Sequence, residues 1–220
     1  VPKLSADLRP TGTELLWIVD IYGFLLAGAL IPMGVLGDRI GRRRLLLIGA
    51  AAFGCVSVLA AFAQSVQALI AARALLGLAA ATLAPSTLSL LRSMFLDPKE
   101  RTFAIGVWIA SFSAGGAVGP LIGGTLLHFF WWGSVFLINV PVMILLLAVG
   151  RTLLPEFRDP QARRPDIRSA ALCVATVLAV IYGIKRIAEH GPDWMAASSI
   201  VSGLVIGAVF LRRQRTLTDP

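Results

Sequence analysis

Residues 15–63 read LLWIVDIYGFLLAGALIPMGVLGDRIGRRRLLLIGAAAFGCVSVLAAFA, with two apolar runs, Leu15–Leu36 and Leu45–Ala63, on either side of an arginine-rich stretch. A helix crosses a bilayer in about 20 residues, because each residue adds about 1.5 Å and the hydrocarbon core is about 30 Å thick. Both runs are close to that length. They lack the alternation of a transmembrane strand, and an open sheet edge cannot be satisfied in lipid. The segment predicts two membrane-spanning helices joined by a charged turn.

The same pattern recurs along the rest of the 220 residues. Five further apolar runs qualify as spans: Leu69–Leu91, Phe103–Leu127, Val135–Val149, Ala170–Ile184 and Met195–Leu211. Apolar residues make up 57% of the chain, charged residues 15%, and the mean hydropathy is +0.81, so lipid is the expected solvent for most of it. The predicted fold class is all-α, a polytopic transmembrane helix bundle.

The net charge of +8 does not indicate a nucleic-acid binder, because the basic residues lie between apolar runs and not on a polar surface. Lys and Arg accumulate on the cytoplasmic side of membrane proteins. Most of them fall here in one set of alternate connections, at residues 39–44, 92–101, 151–168 and 212–215. We therefore expect the N-terminus of this chain outside and its C-terminus in the cytoplasm, in a plasma (bacterial inner) membrane.

The polar residues offer no enzyme chemistry. No nucleophile–base pair, phosphate loop or cluster of metal ligands can be assembled from the sequence, so we expect neither catalytic residues nor a metal or cofactor. Cys55 and Cys173 each lie alone in an apolar run, which favours simple packing. His128 and His190 fall in predicted loops without nearby partners, and their titration range is the only argument for a proton-carrying role.

The turn between the first two spans reads GVLGDRIGRRRLL over residues 34–46. Glycines permit a tight turn and close helix approach, and an aspartate beside several arginines forms a charge cluster whose pairing can change. A stop-transfer run of basic residues is the alternative, but it explains the arginines and not the aspartate or the spaced glycines. The residues of this loop motif are Gly34, Asp38, Arg39, Gly41, Arg42 and Arg43.

The fourth apolar run contains GGAVGPLIGG at residues 115–124. Glycines four residues apart expose backbone on one helix face, and a proline bends the helix. The alternative is a generic packing seam of small residues. The residues of this helix motif are Gly115, Gly119, Pro120, Gly123 and Gly124. One helical turn apart on the same run, Trp108 and Phe112 could contact a lipophilic cation as substrate, although packing against lipid is the simpler explanation.

Arg73 is the one basic residue well inside a predicted span. A cation at that depth costs about 2.5–3.5 kcal/mol on insertion scales, so it needs a partner or a wet cavity. Asp20, in the run WIVDIY at residues 17–22, lies at a similar predicted depth below the outer end of its own helix. We therefore predict that Asp20 is the acidic counterpart of Arg73.

These motifs resemble those of the major facilitator superfamily. The loop at 34–46 resembles the signature loop of the superfamily, and GPLIGG resembles the antiporter motif of the fifth helix in drug-exporting members. Leu69, Arg73 and Gly77 resemble its fourth-helix pattern, with Leu76 where glutamine is usual. The WIVDIY run resembles the second helix of the fourteen-helix drug:proton antiporter branch, which includes quaternary-ammonium and multidrug exporters.

The resemblance implies a partial major-facilitator fold in which the seven spans are helices two to eight. Residues 1–14 would then be the outer end of the first helix and an external loop, and 15–150 a block of five spans. Residues 151–169 would be a cytoplasmic linker, 170–211 the two extra helices of the fourteen-helix branch, and 212–220 a cytoplasmic tail. The chain is accordingly expected to be a fragment that lacks the C-terminal half of the same protein.

The function implied by the resemblance is secondary active transport, the efflux of lipophilic or cationic drugs driven by a proton gradient. Asp20 would bind protons or cationic drug, and Arg73 would adjust its proton affinity, while a static ion pair is the alternative role for both. The expected partners are the lipid bilayer, a small-molecule substrate, protons and the missing half, without nucleic acid. Two other functions stay open: export of a single endogenous product such as an antibiotic, and a non-transporting membrane sensor or assembly module.

Overall fold

The computed structural model describes residues 2–158 and 167–216, and within these ranges the chain is helical without strands. Its helices are α1 (Pro2–Leu8), α2 (Gly12–Ile40), α3 (Arg42–Ala61), α4 (Val66–Met94), α5 (Pro98–Phe129), α6 (Ser134–Leu137), α7 (Asn139–Leu153), α8 (Ile167–His190) and α9 (Trp194–Thr216). The all-α prediction is confirmed. Residues 159–166 of the predicted linker, 217–220 of the predicted tail and the side chain of His190 lie outside the described part.

Seven helical segments of the described chain are long and apolar enough to cross a membrane, and each contains or overlaps a predicted span. The segments are Gly12–Ile40, Arg42–Ala61, Val66–Met94, Pro98–Phe129, Ser134–Leu153, Arg168–Ala188 and Trp194–Gln214. Several helices continue past the predicted spans: Lys185 and Arg186, for example, were expected in a connection, but α8 continues through them. Hydropathy falls at the first charged residue, whereas a helix continues as long as its backbone hydrogen bonds do.

Local capping explains where two of the long helices begin. At the start of α2, the Thr11 hydroxyl accepts a hydrogen bond from the Glu14 amide (3.3 Å), and the Glu14 carboxylate accepts one from the Thr11 amide (2.9 Å). This reciprocal pair is a capping box. At the start of α5, Asp97 accepts hydrogen bonds from the amides of Lys99 and Glu100, and Pro98 occupies the first turn.

The core of the described helices lies where α4 packs against α2 and α3. Leu69 and Leu76 of α4 and Leu46 of α3 are fully buried there. In contrast, no residue of α5 is fully buried, although this helix contacts α4 and α6. Helices α8 and α9 pack against each other as an antiparallel pair, and α8 also lies along α2. The helix α2 therefore contacts both the main block and the α8–α9 pair.

Gly77 sets the distance between α2 and α4. A Cβ atom at this position would lie 2.4 Å from the carbonyl oxygen of Tyr22 and 3.2 Å from the Cβ of Leu25. Since one of these atoms belongs to the α2 backbone, the two helices would have to separate to admit it. Close backbone approach through small residues is how helices associate in lipid, where no hydrophobic force drives them together.

We therefore expect Gly77→Ala in the full-length protein to lower its stability by about 1–3 kcal/mol, the usual cost of overpacking. The measurement is thermal unfolding in detergent. Gly106→Ala on α5 is the matched control, because nothing lies within 4 Å of a Cβ there and alanine favours the helix. Equal melting temperatures for the two variants would contradict the packing role of Gly77.

Candidate functional site

Arg73 is bound by the backbone of α2. Its Nε donates a hydrogen bond to the carbonyl oxygen of Ile18 (2.7 Å), and its Nη2 donates to that of Val19 (2.8 Å). The guanidinium carbon lies 5.0 Å from the centroid of the Tyr22 ring, within cation–π range. The planar fork of an arginine suits this arrangement, because it reaches two acceptors and an aromatic face together. The cation within the span is thus satisfied without a carboxylate.

The direct pair of Asp20 and Arg73 was a wrong prediction. The Asp20 carboxylate instead accepts from Lys185 of α8, with 2.5 Å between Oδ2 and Nζ. Asp20 and Tyr22 are two residues apart, so they project about 200° apart around the helix axis. Because Tyr22 lies beneath Arg73, Asp20 faces the other way, although the charge of Arg73 still acts on it electrostatically. Equal depth in the membrane did not mean the same helix face.

Aromatic rings surround the Asp20–Lys185 pair. The Lys185 ammonium lies 5.8 Å from the centroid of the Trp17 ring, and Tyr182 stacks on Trp17 with centroids 6.0 Å apart and an interplanar angle of 27°. We call Asp20, Lys185, Trp17 and Tyr182 the Asp20 cluster. The sequence analysis missed Lys185 because it lay beyond the apolar run. The spacing of Tyr182 and Lys185, one turn apart on a helix, was the signal that could have found it.

Arg73 and the glycine-rich helix meet at one cavity. Gly119 and Gly123 of α5 line a cavity of about 400 Å³ together with Arg73 and Tyr22. Its other lining residues are Phe53, Leu76, Ile122, Leu126, Val135, Phe136, Ile138 and Asn139. The structure thus brings two predicted motifs together, at a space bounded by α2, α3, α4, α5, α6 and α7.

The glycine-rich face of α5 has open space in front of it. No atom lies within 4 Å of a Cβ built at Gly115, Gly119, Gly123 or Gly124, and Pro120 lies within the helix. The face therefore packs against no described helix, and the expected close approach of a neighbour is not observed. Whether it acts as an antiporter motif stays a prediction.

Trp108 and Phe112 form a pair away from this cavity. Their ring centroids are 4.6 Å apart in an edge-to-face arrangement, and the indole of Trp108 donates a hydrogen bond to the Thr87 hydroxyl of α4 (3.2 Å). Phe112 is largely exposed. Trp108 therefore anchors α5 to α4, and a substrate contact at this pair stays a prediction.

The predicted charge cluster of the loop motif forms in the structure. Asp38 at the end of α2 makes a salt bridge with Arg42 at the start of α3. Between them, Gly41 has a φ of 107°, a backbone conformation that strongly favours glycine. Arg39 makes no ion pair with any described residue. At Gly34 the nearest atom to a built Cβ is the Pro85 Cβ, 4.0 Å away, so Gly34 faces α4 without close contact.

The segment after α7 binds the start of α3, a contact that the sequence analysis missed. The Glu156 carboxylate accepts from the Arg43 amide (3.2 Å) and lies 3.5 Å from the Arg43 guanidinium, whose Nη1 also donates to the Leu154 carbonyl (2.9 Å). The Arg42 amide donates to the Phe157 carbonyl (2.9 Å). We call Arg42, Arg43, Glu156 and Phe157, which meet beside Gly41, the Gly41 latch. It supplies an acidic cap that α3 otherwise lacks.

The candidate ligands for a metal site are the His, Cys, Asp and Glu side chains of the described residues. In the ranges 2–158 and 167–216, no group of three or more His, Cys, Asp or Glu side chains could hold a metal ion. Cys55 and Cys173 are free cysteines. The ring of His128 packs edge to face on Phe129, with centroids 4.8 Å apart.

The sequence profile of the Major Facilitator Superfamily matches residues 1–214. The chain belongs to this superfamily. It is 49% identical over 220 residues to the multidrug efflux pump LfrA of Mycolicibacterium smegmatis, and 40% identical over 220 residues to the methyl viologen resistance protein SmvA of Salmonella typhimurium. It is 33% identical over 221 residues to the tetracenomycin C resistance and export protein of Streptomyces glaucescens.

All of the chain is covered in each of these matches, but only 44%, 44% and 41% of the three relatives. The chain therefore spans less than half the length of these relatives. The profile match confirms, at the level of the family, the resemblance inferred from the loop and helix motifs. The major facilitator superfamily consists of membrane transporters and not of enzymes.

We expect Arg73→Lys to destabilise the full-length protein by about 1–2 kcal/mol, because one ammonium cannot reproduce the two-pronged contact with α2. Thermal unfolding in detergent measures the change. Arg92→Lys is the matched control, since Arg92 lies on the same helix and is exposed. If Arg73→Lys melts like Arg92→Lys, the contact with Ile18 and Val19 does not hold α4 to α2.

We expect Glu156→Ala to release the amides of Arg42 and Arg43, because the latch segment would lose its charged contact. Deuterium exchange at these two amides should become about tenfold faster, as one charge-assisted hydrogen bond is lost. Mass spectrometry of the peptide around residues 41–45 measures it. Glu100→Ala, an exposed glutamate at another helix start, should leave this peptide unchanged. Unchanged exchange in Glu156→Ala would contradict the latch.

Proposed function

We propose that the full-length protein is a secondary active transporter that exports lipophilic and cationic drugs with energy from a proton gradient. The observation that carries this proposal is Asp20, an acidic residue in a membrane-spanning helix whose side chain is one-third exposed. An acidic side chain within a span is costly and typically marks an ion or substrate pathway. The name of one relative, a multidrug efflux pump, supports the export of drugs, and that of another, a methyl viologen resistance protein, supports a cationic substrate.

In this mechanism, Asp20 takes up a proton or a cationic substrate, and the proton and the substrate compete for its carboxylate. Arg73 holds α4 to α2 through two backbone carbonyls and faces the cavity with Gly119 and Gly123. The open α5 face is then available for contact with the second half of the protein. Alternating access requires that one half moves against the other. Transport accordingly requires the part of the protein beyond this chain.

The loop motif has a conformational role in the same proposal. The Asp38–Arg42 and Arg43–Glu156 pairs join the ends of α2, α3 and α7 at one end of the bundle. Surface charge pairs of this kind are individually weak, so they can break and re-form as the helices move. The arginines clustered at this end favour a cytoplasmic location. We therefore propose the inner membrane, with the N-terminus of this chain outside and its C-terminus inside.

A second candidate is the export of one endogenous product. The similarity to the tetracenomycin C resistance and export protein favours it, because that relative is named for a single compound. Growth inhibition of cells that express or lack the full-length protein separates the two candidates. Protection against a panel of unrelated toxic cations supports multidrug export, whereas protection against one compound class supports the single product. A non-transporting sensor would protect against neither.

We expect Asp20→Asn to lower proton-driven ethidium export by about tenfold or more, because the amide neither carries a negative charge nor takes up a proton at neutral pH. The measurement is ethidium uptake into everted membrane vesicles energised with a proton gradient, because the cytoplasmic side of an everted vesicle faces outward. Asp7→Asn is the matched control, since Asp7 is exposed on α1. Unchanged export in Asp20→Asn would remove Asp20 from the mechanism.

A further inference from the structure

The Asp20 cluster has the composition of a binding site for an organic cation. Its negative charge comes from Asp20 and its aromatic face from Trp17, on the preceding turn of the same helix. A carboxylate with an aromatic ring is a common way for proteins to recognise ammonium and other lipophilic cations. In this chain the cation in that position is the ammonium of Lys185, 2.5 Å from Asp20 Oδ2.

Lys185 comes from a different helix, and that helix is held firmly in place. A Cβ at Gly28 of α2 would lie 3.2 Å from the Cα of Val174, so α8 approaches the α2 backbone closely. Nearer the Asp20 end of the contact, Tyr182 stacks on Trp17. These two contacts between α2 and α8, one at Gly28 and one at Trp17, therefore fix the position from which the Lys185 side chain extends.

The side chain of Lys185 has the freedom to leave Asp20. A lysine side chain is a flexible four-carbon stem with a compact charge, so it can move away without any change of the backbone. Asp20 keeps one-third of its side-chain surface exposed, whereas that of Lys185 is 16% exposed. The Lys185 side chain therefore leaves part of the Asp20 side chain uncovered. Arg73 cannot readily replace Lys185 beside Asp20, because the Arg73 guanidinium is bound to the carbonyls of Ile18 and Val19.

We propose that Lys185 is an internal cation that occupies a lipophilic-cation site formed by Asp20 and Trp17, and that a transported cation displaces it. This inference rests on the proposed export of cations and deepens it. It gives the α8–α9 pair a direct role in substrate binding. Binding of the organic cation breaks the Lys185–Asp20 ion pair and replaces it with a contact to the same carboxylate, without any covalent step.

Binding of tetraphenylphosphonium to the purified full-length protein, measured by titration calorimetry, tests this. Lys185→Met removes the competing charge but keeps most of the stem, so its affinity should rise roughly tenfold, while Lys185→Arg should bind like the wild type. Lys99→Met, an exposed lysine at the start of α5, is the matched control and should show no gain. The gain should vanish in the double variant Asp20→Asn, Lys185→Met. A Lys185→Met affinity equal to or below that of the wild type would overturn the proposal, as would a gain that persists without Asp20.

Two further measurements separate the possible failures. If Lys185→Met does not fold, Lys185→Gln also removes the competing charge and keeps a polar side chain beside Asp20. Its tetraphenylphosphonium affinity should likewise exceed that of the wild type; an affinity equal to or below that of the wild type would overturn the proposal. Ethidium export by the wild type reports on the proposed function alone. Ethidium export by the wild type, together with an unchanged tetraphenylphosphonium affinity in Lys185→Met, would refute only the proposal that Lys185 is an internal cation.

Discussion

A charge inside a membrane span must find its counterpart within the protein, and in this chain α2 meets that requirement for two cations at once. On one face its backbone carbonyls at Ile18 and Val19 accept the Arg73 guanidinium. On another face its Asp20 carboxylate accepts the Lys185 ammonium. Since unpaired charges in hydrocarbon are costly, these contacts fix which faces of α2 turn toward α4 and toward α8. The cavity beside Arg73 and the Asp20 cluster both follow from that orientation.

The sequence was sufficient for the spans and for the charged loop. Apolar length determines where a helix can cross a bilayer, and arginines with a single aspartate determine that Asp38 finds a partner, as it does in Arg42. Depth along a helix was less informative. Asp20 and Arg73 lie near the same level, but helical depth gives no angle around the axis, and the two residues point to different neighbours.

The two residues that the sequence analysis missed share a cause. Lys185 and Glu156 both follow the end of an apolar run, where hydropathy no longer indicates structure. Each nevertheless contacts a residue more than one hundred positions earlier in the chain, in one case across α2 and α8 and in the other at the Gly41 latch. The packing of the helices identifies the partner of each residue. They show that the charged residues flanking the spans take part in the tertiary structure as well as in membrane topology.

The Asp20 cluster depends on the packing of α8 along α2, which places Lys185 beside Asp20. The Cβ of Val174 lies 3.6 Å from a Cβ built at Gly28, a distance suited to a disulfide. Cysteines at these two positions, in a full-length protein whose Cys55 and Cys173 are replaced by serine, provide the direct measurement. Mild oxidation in membranes should cross-link Gly28→Cys with Val174→Cys rapidly, and Gly28→Cys with Ala175→Cys far more slowly. Equal or absent cross-linking in the two pairs would show that α8 does not lie against α2 as described.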